Sequence, residues 1–387
     1  MRVGTRRSPA VTKATTTRTT ELGRIPYRVS AGVSRDRRAP HALSALCALA
    51  LCCVVACAPT ARQVPPRPPA ASKPPVPLHQ GPLSDFISAA SLRWLVLVRP
   101  QQLLANAELA QGISQIVSSR RFEAFAESSG VDLRLLPAAA IAGFPYATSY
   151  LAEVPKGVAA QARDHFSERL LAGSVSKHPR AALQRITGVI GQTPETLLTI
   201  DERVVAVTVG DPMQAKIAEA YAEGRLKNSP TALRGAALST LPDLFADNSV
   251  VLYAPGPFAD EWQRAAGGLL QSTVAVAIAA RALEHGKIAT TVCLAGAWGD
   301  SANEAADRLS AAWTTFAKSS AGHLFELPQS AQVIANPELL TLHVELDLDA
   351  LIRGLRASVL SDITQILHLP NPSQNTAQPP SENDTPQ

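Results

Sequence analysis

"TVAVAIAARALEHGKIATTVCLAGAWGD", residues 273–300, is the stretch whose reading decides the fold. Two runs of small and β-branched residues flank Glu284-His285-Gly286-Lys287, and Gly286 can take a positive φ, so the stretch predicts a β-hairpin. The same pattern recurs in "ETLLTIDERVVAVTVGD", residues 195–211, with its turn at Asp201-Glu202. Each hairpin ends in Gly-Asp and runs into helical spacing. Asp211 is placed to cap a helix with Pro212 at its first position, and Asp300 to cap residues 301–318.

Outward from the hairpins, "SLRWLVLVRP" (91–100) reads as a buried strand closed by Pro100. Residues 101–128 follow helical spacing through Leu103, Leu104, Ala107, Ile113, Ile116 and Val117. Residues 137–155 are strand-like with a Gly-Phe-Pro break, and residues 157–172 form an amphipathic helix. "WLVLVRP" at 94–100 is echoed by "VVLYAPG" at 250–256, and a helix follows each. Hairpin–Gly-Asp–helix comes later in both, so a duplicated unit with an insertion in the first copy is expected. Hairpins packed under helices point to an α+β fold with a largely antiparallel sheet covered by helices on one face.

Upstream, residues 42–57, "ALSALCALALCCVVAC", carry no charge. As a helix they would rise roughly 24 Å, short of the ~30 Å hydrocarbon core of a bilayer. "RDRRAPH" (35–41) precedes them, so basic region, short apolar region and small-residue end follow the plan of a secretory signal peptide. Val54-Val55-Ala56-Cys57 resembles the lipobox of bacterial lipoproteins. That resemblance implies diacylglyceryl transfer to the Cys57 thiol, cleavage before it by a type II signal peptidase and acylation of the new amino group. Two or three acyl chains anchor durably where one does not, at about 0.8 kcal/mol per buried CH₂. Ala58 rather than Asp after the cysteine implies, by resemblance to enterobacterial lipoproteins, delivery to the outer membrane, facing the periplasm or the cell surface.

The chain then divides as follows: a disordered extension over 1–32, a signal peptide over 33–56 and a proline-rich spacer over 57–83 with nine prolines. Two α+β halves follow over 84–236 and 237–370, with a disordered tail over 371–387. A translation start at Val33 would give a signal of 24 residues.

Charge follows that division. Residues 84–387 hold 23 basic and 30 acidic side chains, so the body is mildly acidic and nucleic acid is excluded as a partner. Cys47, Cys52, Cys53 and Cys57 are clustered and only Cys293 lies beyond them, so disulfides do not build the body.

Within the body four features bear on chemistry. In "LHVELDLDAL" (342–351), His343, Glu345, Asp347 and Asp349 share one strand face. They would either ligate a metal or form a solvated strand whose Asp347 or Asp349 caps the following helix, and the solvated strand is the expected one. Cys293 reads as a small buried hydrophobe among alanines. Ser174-Val175-Ser176-Lys177 has the Ser-x-x-Lys spacing without its companion elements. His165, His178, His285, His323 and His368 are scattered away from ligand spacing.

No cofactor, no resident metal and no catalytic residue is expected. The expectation is a lipid-anchored envelope protein acting as a non-enzymatic binding or assembly module, with the membrane and an envelope protein as partners. An envelope hydrolase or metal enzyme using the His343/Glu345/Asp347 face, and a lipid or small-molecule carrier, are the alternatives.

Overall fold

The structure, a computed structural model, describes residues 77–176, 180 and 182–366. In chain order come β1 (Trp94–Val98), α1 (Pro100–Ala105), α2 (Ala107–Ile116), α3 (Ser119–Ser129), β2 (Ala138–Phe144), β3 (Ala147–Glu153) and α4 (Val158–Arg169). Then follow β4 (Ala172–Ser176), β5 (Leu183–Ile190), β6 (Thr193–Ile200), β7 (Val204–Gly210) and α5 (Met213–Ala222). The rest is β8 (Val250–Pro255), α6 (Asp260–Ala265), β9 (Thr273–Ala282), β10 (Lys287–Gly296), α7 (Ala302–Ala317), α8 (Ser320–Leu324), β11 (Gln332–Ala335), β12 (Leu339–Asp347) and α9 (Leu348–Ile366).

The hairpin at 273–300 forms as β9–β10. His285 and Gly286 both take positive φ, 59° and 66°, and the Leu283 N–H donates to the Lys287 carbonyl at 2.8 Å. The helical run at 101–128 is three helices rather than one. Asn106 ends α1, and its side-chain oxygen accepts from the Leu109 N–H at 3.0 Å, so its cap starts a new helix instead of continuing the old.

All twelve strands of the described residues join one antiparallel sheet, in the order β11-β12-β10-β9-β8-β1-β2-β3-β7-β6-β5-β4. Its middle is the β1–β8 pair, where Val98 lies opposite Val250. Walking outward from that pair gives β2, β3, β7, β6 on one side and β9, β10, β12, β11 on the other. The order strand, helix, hairpin, helix, hairpin, helix thus occurs twice, and β4 with β5 is the insertion in the first pass.

The echo between residues 94–100 and 250–256 marks equivalent strands. The two Gly-Asp sites do not. β6–β7 stands where β11–β12 stands in the second pass, and β9–β10 answers β2–β3. Gly-Asp is a local helix-start signal, indifferent to position within the unit. Asp211 does cap, accepting from the Met213 N–H at 2.9 Å. Asp300 does not: it lies in a 3₁₀ turn, Gly299–Ser301, and the first turn of α7 has no side-chain cap.

The long helices α4, α7 and α9 pack on one face. α4 brings Ala159, Ala162 and Phe166 against Ile186, Leu197 and Val205. α7 brings Ala302, Ala305 and Leu309 against Leu294, Leu340 and Leu342. Ile352 of α9 meets Leu109 of α2 over Ile288. Among the described residues, α5, the short 3₁₀ turns Leu83–Phe86, Ala232–Arg234 and Pro242–Phe245, and the segment carrying Leu238 and Leu241 cover the opposite face, whose core runs from Leu198 through Leu95 to Ala277 and Cys293.

Burial on that second face pushes the Tyr253 phenol up to about 12 and raises the Cys293 thiol. Both groups fold neutral. Their stabilisation is therefore complete below the unfolded-state values and is lost as pH climbs through the raised ones. Chemical denaturation is expected to show stability flat from neutral pH to about 8.5 and falling above it; Tyr253→Phe should flatten the part of the fall above about 10.

Candidate functional site

Among the described residues, nothing covers the centre of the helix-bearing face. Across five adjacent strands, β9, β8, β1, β2 and β3, one straight cross-strand row reads Ile278, Leu252, Val96, Ile141, Tyr150. The neighbouring positions include Trp94, Ala254 and Val274. Trp94 is 36 %, Ile278 39 % and Val274 53 % exposed. None of Trp94, Val96, Ile141, Leu252, Val274 or Ile278 belongs to any of the four buried clusters that make up the core.

The opposite sides of the same strands are sealed, with Leu95, Ala142, Ala275 and Ala277 at 0 % exposure. A half-solvated antiparallel strand ordinarily alternates apolar and polar residues. These strands are mostly apolar on both sides, with Ser149, Glu153, Thr273 and Arg281 on the sealed side and Thr148 on the bare one, and no charged side chain lies on the bare side of the five. Five strands at about 4.8 Å spacing make a floor about 19 Å wide.

Local sequence shapes this floor. Gly143 lies opposite Trp94, and a Cβ there would collide with the indole, so the glycine lets the ring lie down on the sheet. Tyr150 lies at the α4 side, its phenol pushed up by burial and secondarily by the Glu195 carboxylate. Exposed apolar surface of this extent marks an interaction site.

The residues singled out from sequence are placed elsewhere. His343, Glu345 and Asp347 do share a strand face, lying opposite Thr291, Ala289 and Lys287 of β10. His343 Nδ1 is 3.1 Å from the Thr291 hydroxyl. Asp347 accepts from the Ala350 N–H at 3.0 Å, capping α9, and pairs with Lys287 at 3.2 Å. That cap first, and Lys287 second, hold the Asp347 carboxyl below its usual range. Asp349, beyond β12, lies in the first turn of α9.

Among the described residues no group of three His, Cys, Asp or Glu side chains could hold a metal ion. Asp347→Ala is expected to cost about 1 kcal/mol through the lost cap, measured by urea denaturation. The Asp347 contribution is present above its unfolded pKa and disappears as pH falls through the lowered one, so the variant should lose that acid-side dependence.

Cys293 is buried, its sulfur 3.4 Å from the Thr341 hydroxyl, and its thiol is pushed up by burial, the reverse of an activated nucleophile. Ser174 and Ser176 lie on edge strand β4. His165 lies on α4 near Glu168, at 3.9 Å, His285 in the β9–β10 turn and His323 on α8. The lipobox Val54 to Cys57, most of the proline-rich spacer, Lys177, His178, His368 and the C-terminal tail lie outside the described residues.

Sequence reading missed His79, inside the stretch assigned to the spacer. Its N–H donates to the Ala222 carbonyl at 2.8 Å, and its Nε2 lies 2.9 Å from the buried Asp85. The one available signal was the "LHQGPLSDF" stretch, where prolines give way to a residue pattern able to pack.

Among the described residues no helix is long and apolar enough to cross a membrane. Comparison with models of protein families, with curated proteins and with solved structures finds no match to this chain. Its class is defined by geometry: a twice-repeated strand, helix and hairpin unit closing into one open antiparallel sheet with a bare apolar centre.

Proposed function

We propose that this protein is a bacterial envelope lipoprotein, anchored through Cys57 to the outer membrane, and a non-enzymatic binding or assembly module. The observation that carries the binding part is the uncharged floor centred on Val96 and Leu252, which no described residue covers. The occupant we infer is an apolar face of another envelope protein. A single acyl chain is about 5 Å across and would leave most of a floor about 19 Å wide in water, whereas a packed helix pair at about 10 Å per helix would fill it.

A photo-reactive amino acid placed at Ile278 tests this in cells, with the same group at the exposed Glu345 of the other face as control. The expected result is one discrete protein adduct from position 278 and none from 345. Adducts from both positions, or from neither, would remove the reading. A phospholipid retained on the native protein in place of an adduct would establish the carrier alternative instead.

A further inference from the structure

Where residues 77–80 meet the body, a cleft of about 570 Å³ opens against residues 221–234. That volume lies within the range of small-molecule sites, about 300–1,000 Å³. Its floor is the Asp85 carboxylate, 4 % exposed. Asp85 accepts from the Arg234 guanidinium at 3.0 Å and from the Thr231 hydroxyl at 3.4 Å, and meets His79 Nε2 at 2.9 Å. One buried carboxylate thus holds the guanidinium and the imidazole from beneath. The Arg234 side chain stays 71 % exposed, so the rest of its donor fork is open to the cleft.

Lys227 and Asn228 line the same space, and Glu223 on its wall is engaged by Arg225. Tyr221, Leu226 and Pro230 supply an apolar part of the wall, beside Ser229 and Thr231. Among the lining residues Arg234 and Lys227 balance Asp85 and Glu223, and Arg225, which pairs with Glu223 without lining the cleft, adds one positive charge.

We propose that this cleft binds a small organic monoanion, a carboxylate carried on a short aliphatic body. Arg234 offers its free fork to the two coplanar oxygens, and Lys227 supplies a second, point-like charge. The aliphatic part lies on Tyr221, Leu226 and Pro230. Asp85 acts as a positioning residue that fixes the fork and keeps the imidazole of His79 from closing over it. This site is separate from the apolar floor and does not depend on what covers that floor.

Isothermal titration of the full-length lipidated chain in detergent with sodium hexanoate, sodium acetate and inorganic phosphate tests the assignment. Hexanoate is expected to saturate at one site per chain and to bind roughly tenfold tighter than acetate, the ratio for burying two of its four additional CH₂ groups. Phosphate should bind more weakly than hexanoate. Arg234→Ala and Lys227→Ala should each weaken hexanoate roughly tenfold, whereas Ile278→Asp on the bare floor should leave it unchanged.

No saturable heat from hexanoate, or an affinity for hexanoate in both cationic-site variants unchanged from that of the unsubstituted protein, would overturn the proposal. So would hexanoate binding lost only in Ile278→Asp. Phosphate binding tighter than hexanoate would overturn the carboxylate and aliphatic part.

Discussion

Cys57→Ser should reduce incorporation of radiolabelled palmitate to background and leave the protein as an uncleaved precursor. The chemistry implied by the lipobox resemblance begins at a thiol. A serine hydroxyl, with its far higher pKa, does not replace a thiolate as acceptor at neutral pH. Without the diacylglyceryl group the type II peptidase has no substrate, so residues 33–56 stay attached.

The expected phenotype is all-or-none, because later acylation of the amino group also requires the cut. Cys53→Ser is the matched control. Cys53 follows Leu51-Cys52 and lacks the small residue before it, so that variant should label and mature normally. Labelling that persists in Cys57→Ser, or is lost in Cys53→Ser, would remove the anchor from position 57 and with it the proposed attachment to the membrane.

Much of the fold was legible because hairpins announce themselves locally. Turn residues such as His285-Gly286, between β-rich runs, determine strand count, direction and register. The continuity of the sheet was not legible, since pairing of β1 with β8 joins segments some 150 residues apart and no local signal specifies it. The repeat was half legible. The two central strands resemble each other, and they pair with one another at the middle of the sheet. The Gly-Asp sites misled because helix capping is a local requirement.

The bare floor was written in the sequence and read as its opposite. "WLVLV" at 94–98, apolar at every position, implies burial on both sides. Composition cannot say that one of those covers is missing among the described residues. The cleft went unread because Asp85, Thr231 and Arg234 are brought to His79 by packing across the second face, not by spacing.

Strand β9 allows the sharpest test of that reading, because adjacent residues face opposite environments. Ala277 is 0 % exposed between Tyr253 and Cys293, and Ile278 is 39 % exposed beside Leu252. Ala277→Asp places an uncompensated carboxylate in the sealed core, an effect of about 3–5 kcal/mol. That is a large part of the total stability of a domain, so this variant should be largely unfolded or cleared. Ile278→Asp puts the same charge where water already reaches and should cost about 1 kcal/mol or less.

Yet the second variant is the one expected to abolish the adduct formed from the floor, with Val274 as a neighbouring crosslinking position. A carboxylate cannot be desolvated against an apolar partner without a counter-charge, and the floor offers none. Urea denaturation and crosslinking on the same two proteins separate the outcomes. If Ile278→Asp destabilises as strongly as Ala277→Asp, the free protein already covers its floor and no partner is needed. If Ile278→Asp folds and the adduct survives, the floor is not where the partner docks. A folded Ile278→Asp without the adduct leaves one account, in which a strand apolar on both sides is completed by another molecule.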